Sequence, residues 1–261
     1  MERNTMKNIN WLGLWTLYCK EVRRFLKVYH QTLLAPMVNA MLLLAIFSLA
    51  MGGRLATVNG LDFHQFMIPG LIMMTVVQNA FANTSSSLIM GKVMGTIIDF
   101  LIPPISPGEM AFAMTAAGVT RGILSGLMVA VAASLFFHIS VYSLPLVLFY
   151  AVAASSMLAL IGILAGIVSD TFDQMSAITS YVITPLAFLS GTFYSVSNLP
   201  PLWQHINRFN PFFYMIDGFR YSLTGISDAP VTAGIIVLLL INGALAVFVH
   251  RLLTRGYRLK S

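Results

Sequence analysis

A chain of 261 residues in which 57% are hydrophobic and 9% are charged departs far from the roughly 25% charged residues of an ordinary soluble domain, and a soluble fold is excluded. The formal net charge of +6 comes from basic residues that flank apolar runs, and nothing resembles a base-reading module, so the expected counterions are anionic lipid headgroups and not nucleic acid. Cys19 is the only cysteine, which rules out an intrachain disulfide or a thiolate zinc cluster.

The first thirty residues carry Trp11, Leu12, Leu14, Trp15, Tyr18, Val22, Phe25, Leu26 and Tyr29 every three to four positions, with Lys20, Glu21, Arg23, Arg24 and Lys27 interleaved. That pattern predicts an amphipathic helix lying along a membrane surface, either a plain anchor or a docking element for a partner. The first apolar run begins only at Leu33, which does not suit a cleavable signal peptide.

Charges are absent from 31–51, 63–91, 122–169, 174–207 and 229–250, and a crossing needs about 20 such residues. The third run holds two crossings, with Tyr142-Ser143-Leu144-Pro145 as the hairpin between them. The chain therefore reads as an all-α integral membrane protein: a surface segment, 1–30, and a membrane domain, 31–261. Six transmembrane helices are expected at about 31–51, 67–90, 112–137, 145–168, 175–195 and 230–251. In this layout 12 of the 15 Lys and Arg fall on one side, and Arg54, Arg208 and Arg220 fall on the other. The positive-inside rule then puts both termini in the cytoplasm. The loop with Asp170 and Asp173 has no basic residue and is placed by alternation alone; a solvated turn is its first reading, a minor partner contact its second.

The cytoplasmic loop 92–109 reads KVMGTIIDFLIPPISPGE. Thr96 to Leu101 predict a short helix that Pro103 and Pro104 must end, and Ser106-Pro107 is a helix cap opening the third crossing. A connector needs only polar turn residues. The apolar side chains instead make Gly95, Asp99, Phe100, Leu101, Pro103, Pro104, Ser106 and Glu109 a candidate contact surface.

An ion-coupled carrier needs titratable groups at depth, and all nine acidic residues lie outside the predicted core segments. Arg121 is the one clear internal candidate. If its helix begins near Glu109 it lies roughly 18 Å in, where it snorkels or binds a phosphate-bearing substrate; if the span begins near Val119 it marks a boundary. Uncharged polar residues cluster at Gln78, Asn79, Asn83, Thr84, Ser85, Ser86 and Ser87 in the second span, and at Ser176, Thr179, Ser180, Tyr181 and Thr184 in the fifth. One such residue ordinarily joins two helices, but seven in one span exceed what packing uses. Gln78, Asn79, Asn83, Thr84, Arg121, Ser180 and Thr184 are the candidate lining of a translocation path.

The segment 185–220 is too apolar for a soluble surface and too punctuated for a simple span. Pro185 and Gly191 predict a bend, Pro200-Pro201 stops the helix, Asn210-Pro211 makes a turn, and Tyr194, Trp203, Phe212, Phe213 and Tyr214 suit the headgroup layer. Asp217 and Arg220 stand at the i, i+3 spacing of a pair. The strings P-x-x-F-L-S-G-x-F-Y-S-V-x-x-L-P and N-P-x-x-Y-x-I-D-G-F-R closely resemble the C-terminal signature of type-2 ABC transporter permeases, and the six-span layout fits that family over nearly the whole chain. The resemblance implies a non-catalytic bacterial inner-membrane export subunit for polysaccharide, lipo-oligosaccharide or drug-like cargo. It further implies a homodimer with separate ABC ATPase subunits that bind ATP and magnesium, no cofactor being expected in this chain. By the same resemblance the first helix helps hold the ATPase, the segment around Asp99 and Phe100 is the coupling helix, and Pro185, Ser190, Gly191, Phe193, Pro200, Pro211, Asp217 and Arg220 belong to an extracellular gate region.

Catalytic readings find no support. The only Gly-Lys, Gly91-Lys92, has Val93 next and no phosphate loop before it, and no His is followed by Glu as a zinc protease requires. A passive channel or membrane scaffold stays open as the rival, although neither needs an apolar cytoplasmic hook.

Overall fold

The computed structural model describes residues 9–51, 57–58, 60–97 and 104–256. Its helices are α1 (Trp11–Leu26), α2 (Ala35–Met51), α3 (Phe63–Val93), α4 (Pro107–Ser134), α5 (Leu144–Val168), α6 (Phe172–Ile178), α7 (Thr184–Leu189), α8 (Pro201–Arg208), α9 (Pro211–Thr224) and α10 (Val231–Arg255). A two-residue antiparallel pair, β1 (Thr57–Val58) with β2 (Leu61–Asp62), lies between α2 and α3.

Among the described residues five helices are long and apolar enough to cross a bilayer: α2 with the turn before it, α3, α4, α5 and α10. The expected crossing at 175–195 is built differently. Here α6, a widened π turn at Thr179–Ile183 and α7 follow one another without a break, in pieces of 7, 5 and 6 residues. Pro185 explains this, because it has no N–H to offer the preceding turn and its ring crowds that turn's carbonyl, so the helix widens ahead of it. The same device precedes α2, where a π turn at His30–Leu34 runs into Ala35-Pro36.

Helix α3 is the axis of the bundle. Of its most apolar window 83% is buried, against 17% for the α2 region and 11% for α10. It lies close against α4 and α5 because glycines face it: a Cβ on Gly122 would sit 2.7 Å from the Val76 carbonyl, and one on Gly166 would sit 2.7 Å from Leu88 Cβ. Small residues at such crossings let backbones approach, which is how helices associate where lipid removes the hydrophobic drive. Tyr150 on α5 fills the space left by Gly218 on α9 and Gly234 on α10, and its hydroxyl donates to the Val231 carbonyl at 3.1 Å. The outer faces of α2 (Val38, Leu42, Ile46, Leu49) and α10 (Ile236, Leu239, Leu240) stay apolar and exposed, as an apolar solvent or a second chain requires.

Local signals set the ends. Ser106 caps α4 in a reciprocal box with Glu109, and Pro107 takes the first helical position, so α4 starts earlier than the expected 112. Arg121 stands 14 positions after Pro107, about 21 Å along the helix. At the end of α3, the Lys92 ammonium donates to the carbonyls of Ile167 and, at 2.9 Å, Ser169, and lies 3.6 Å from the Asp170 carboxylate. The acidic turn after α5 thus meets a basic residue in the last turn of α3, and the ends of α3 and α5 share one side of the bundle, as alternation expects.

Candidate functional site

Between α2, α3 and α7 runs a groove of about 500 Å³. Pro36, Asn39 and Ile46 come from α2, Leu71, Thr75, Gln78 and Asn79 from α3, and Thr184 and Phe188 from α7. Three of the seven sequence candidates, Gln78, Asn79 and Thr184, are therefore brought together. Asn39 belongs with them and was missed; its signal is an amide in an otherwise apolar run. Both helices that flank α3 here carry a π turn just ahead of a proline.

The other candidates lie elsewhere. Thr84 is fully buried and donates to the Ala159 carbonyl at 2.7 Å, which makes it a pin between α3 and α5. Ser180 is exposed on the π turn and does not line the groove. Asn83 and Arg121 stand past its Asn79 end, beyond the lining. Arg121 Nη2 donates to Asn79 Oδ1 at 3.3 Å, so Asn79 joins the groove to a guanidinium. One turn on, Arg24 of α1 donates from Nη2 to the Asn83 carbonyl at 2.7 Å and to its Oδ1 at 3.1 Å, and from Nη1 to Ser86 at 3.2 Å. Glu21, only 1% exposed, accepts from Arg24 Nε at 3.0 Å and from Ser87 at 2.8 Å. Glu21 and Arg24, two of the charged residues interleaved along the amphipathic first helix, thus face α3.

Phe188, which lines the groove, belongs to a stack of aromatic rings. Phe193 stacks on Phe47 of α2 at 5.0 Å between ring centres and on Phe188 of α7 at 5.3 Å. Beyond this stack the C-terminal signature forms a closed network. The Ser190 hydroxyl donates to Leu186 and accepts from Asn210 at 2.9 Å, and Asn210 and Pro211 open α9 as cap and first residue. Gly191 turns with φ +82°, where a side chain is strained, and its carbonyl accepts from Arg220 Nη2 at 2.5 Å. Arg220 Nε donates to the Phe66 carbonyl at 3.2 Å, its guanidinium lies 3.8 Å from the Phe66 ring centre, and Nη1 is 3.8 Å from Asp217. Asp217 accepts the amides of Asp228 at 2.9 Å and Ala229 at 3.0 Å. Pro185 is the second residue of α7 and Pro200 caps α8. Asp217 and Arg220 pair, as their spacing suggests, and tie α9 to the start of α3, the Gly191 turn and the approach to α10.

Of the candidate contact loop, Asp99, Phe100, Leu101 and Pro103 lie outside the described residues. Gly95 turns the chain after α3 with φ +69°. Glu109 spends both carboxylate oxygens internally, accepting from Ser106 N at 2.7 Å and Asn10 N at 2.6 Å, while Asn10 Nδ2 donates to the Pro104 carbonyl at 3.1 Å. The loop's end and the start of α1 are therefore one unit. A second groove of about 980 Å³ lies between α1, α4, α5 and α10, and its surface is mostly apolar.

Apolar helices around a tightly packed axis, with a groove of mixed polarity on one flank, define an all-α integral membrane protein. Residues 13–224 match the family described as ABC-2 type transporter. The inner membrane transport permease YadH of Escherichia coli (strain K12) is 35% identical over 256 residues, which cover 98% of this chain and 100% of that protein. Nodulation protein J of Rhizobium leguminosarum bv. viciae is 24% identical over 223 residues, 83% of each chain, and that of Rhizobium meliloti (strain 1021) is 22% identical over 221 residues, 83% of this chain and 82% of the relative. The chain belongs to the ABC-2 type transporter family: it is a transport permease, a multi-pass protein of the inner membrane.

Proposed function

We propose that this permease is the membrane subunit of an ATP-driven exporter, in which two copies face each other across the groove and separate ABC ATPase subunits bind ATP and magnesium. The chain crosses the membrane six times, the α6–α7 segment being the fifth crossing, with both termini in the cytoplasm and α1 along the inner surface. The observation that carries this reading is the groove itself: polar groups from α2, α3 and α7 converge on a cleft that one copy leaves open at its flank. The apolar outer face of α2 suits closure by a second copy.

The contacts of Asn10 with Pro104 and Glu109 support a route for coupling. A push on the loop before Pro104 reaches α1 through these bonds, and α1 carries Arg24 and Glu21 onto α3 beside Asn83. The π turns ahead of Pro36 and Pro185 are the bends at which α2 and the fifth crossing swing. The cargo is a polysaccharide, lipo-oligosaccharide or drug-like molecule.

Purification of a tagged chain in mild detergent, with partner identification and an ATP hydrolysis assay, tests this directly. A stoichiometric partner with a phosphate-binding loop and hydrolytic activity is expected, and Asp99→Ala or Phe100→Ala abolishes export with insertion intact. A chain that purifies alone and without hydrolysis favours a passive channel or scaffold instead.

A further inference from the structure

Behind Asn79, just outside the groove's lining, the guanidiniums of Arg121 and Arg24 bring more positive charge than Glu21 balances. Among the described residues the ion pairs are Arg24–Glu21, Lys92–Asp170 and Arg220–Asp217, and Arg121 belongs to none. Its hydrogen bond to Asn79 is long, at 3.3 Å, and its Nε is buried with no acceptor. Asn83 Nδ2 is likewise buried with no acceptor, in a residue that is 0% exposed. Asn79 and Asn83 are four positions apart and so share one face of α3. Two guanidiniums thus reach neighbouring turns of that face, with one carboxylate between them, and both oxygens of Glu21 are already engaged by Arg24 and Ser87.

Every open valence in this cluster is a donor. An uncompensated guanidinium among apolar helices is costly, and it persists where an anion supplies the missing partner. Along α3 the groove runs from Asn79 and Gln78 past Thr75 to Leu71, from polar to apolar, and the Arg121 guanidinium stands behind Asn79, outside the lining. We propose that Arg121, with Asn79 and Asn83, forms a subsite for an anionic headgroup, phosphate or carboxylate, of an amphiphile whose remainder lies along the groove; Arg24 is the second, already neutralised, cation. The proposal rests on the groove being the path and names the charge of what enters it.

The test uses the full chain in phosphatidylcholine nanodiscs with radiolabelled dodecyl phosphate as probe, dodecyl maltoside as the neutral control and inorganic phosphate as the headgroup alone. Dodecyl phosphate binds the native chain more tightly than the neutral control, Arg121→Gln weakens it about tenfold or more, and Arg121→Lys keeps most of it. Equal binding by Arg121→Gln and the native chain overturns the subsite. A merely structural arginine would lower the melting temperature on replacement; here Arg121→Gln melts at or above the native value, and a loss of several degrees with unchanged binding also overturns it. Gln78→Trp, which fills the groove, separates the two claims. If it blocks both amphiphiles while Arg121→Gln is indifferent, the subsite alone fails; if it blocks neither, the groove reading fails as well. Phosphatidylglycerol in the nanodisc identifies the source: displacement of the probe from the native chain assigns the site to a bilayer lipid, and its absence assigns it to cargo.

Discussion

Two ionic clusters flank α3, one fully buried around Arg220 and one partly buried around Arg121, and they differ in how completely they are satisfied. Around Arg220 the guanidinium meets two carbonyls, an aromatic face and a carboxylate, and that carboxylate receives two backbone amides. Around Arg121 one long bond stands for all of these, and Nε and the neighbouring Asn83 amide have no acceptor. A closed cluster holds loops together and has nothing to offer a ligand. An open one contributes little to stability and has donors to spare. The difference separates frame from site within a single chain.

Breaking the closed cluster has the largest effect. Arg220→Gln leaves Asp217 buried without its counterion and costs about 3–5 kcal/mol in thermal or denaturant unfolding. A change below about 1 kcal/mol would remove the contrast with Arg121. Glu21→Gln takes the carboxylate from Arg24 and adds a second unbalanced charge. Because the Arg24 side chain is 27% exposed, solvent screens part of the loss and about 1–2 kcal/mol is expected. Thr84→Val sharpens the same contrast: the pin to Ala159 is lost for about 1 kcal/mol, and transport per folded molecule is unchanged. Arg121→Gln is smallest in stability, neutral or stabilising by up to about 0.5 kcal/mol, because it removes an uncompensated charge.

Much of the frame is legible in the sequence because it is written in short-range terms. Apolar runs set four of the long helices within a few residues; Ser106-Pro107 and Asn210-Pro211 fix two helix starts, and Asp217 with Arg220 announces its own pair. Proline 185 foretells a bend, but not that the helix answers by widening through a whole π turn. The site is less legible, since it depends on which face of a helix meets which neighbour. Asn79 and Thr84 come from one polar cluster on α3, yet packing turns the first toward the groove and the second into α5. Glu21 and Arg24 follow the period of a surface helix, and periodicity alone cannot tell a face that meets water from one that meets α3.

The most direct test of the groove as the path compares it with the larger apolar groove on the other flank. In a Cys19→Ser background, Gln78→Cys and Thr184→Cys report on the first, and Ser156→Cys, which lines the second, is the control. A membrane-impermeant thiol reagent is applied to both faces of native vesicles. Rapid labelling at positions 78 and 184 with none at 156 is the expected result; labelling at 156 with silence at 78 and 184 would contradict it.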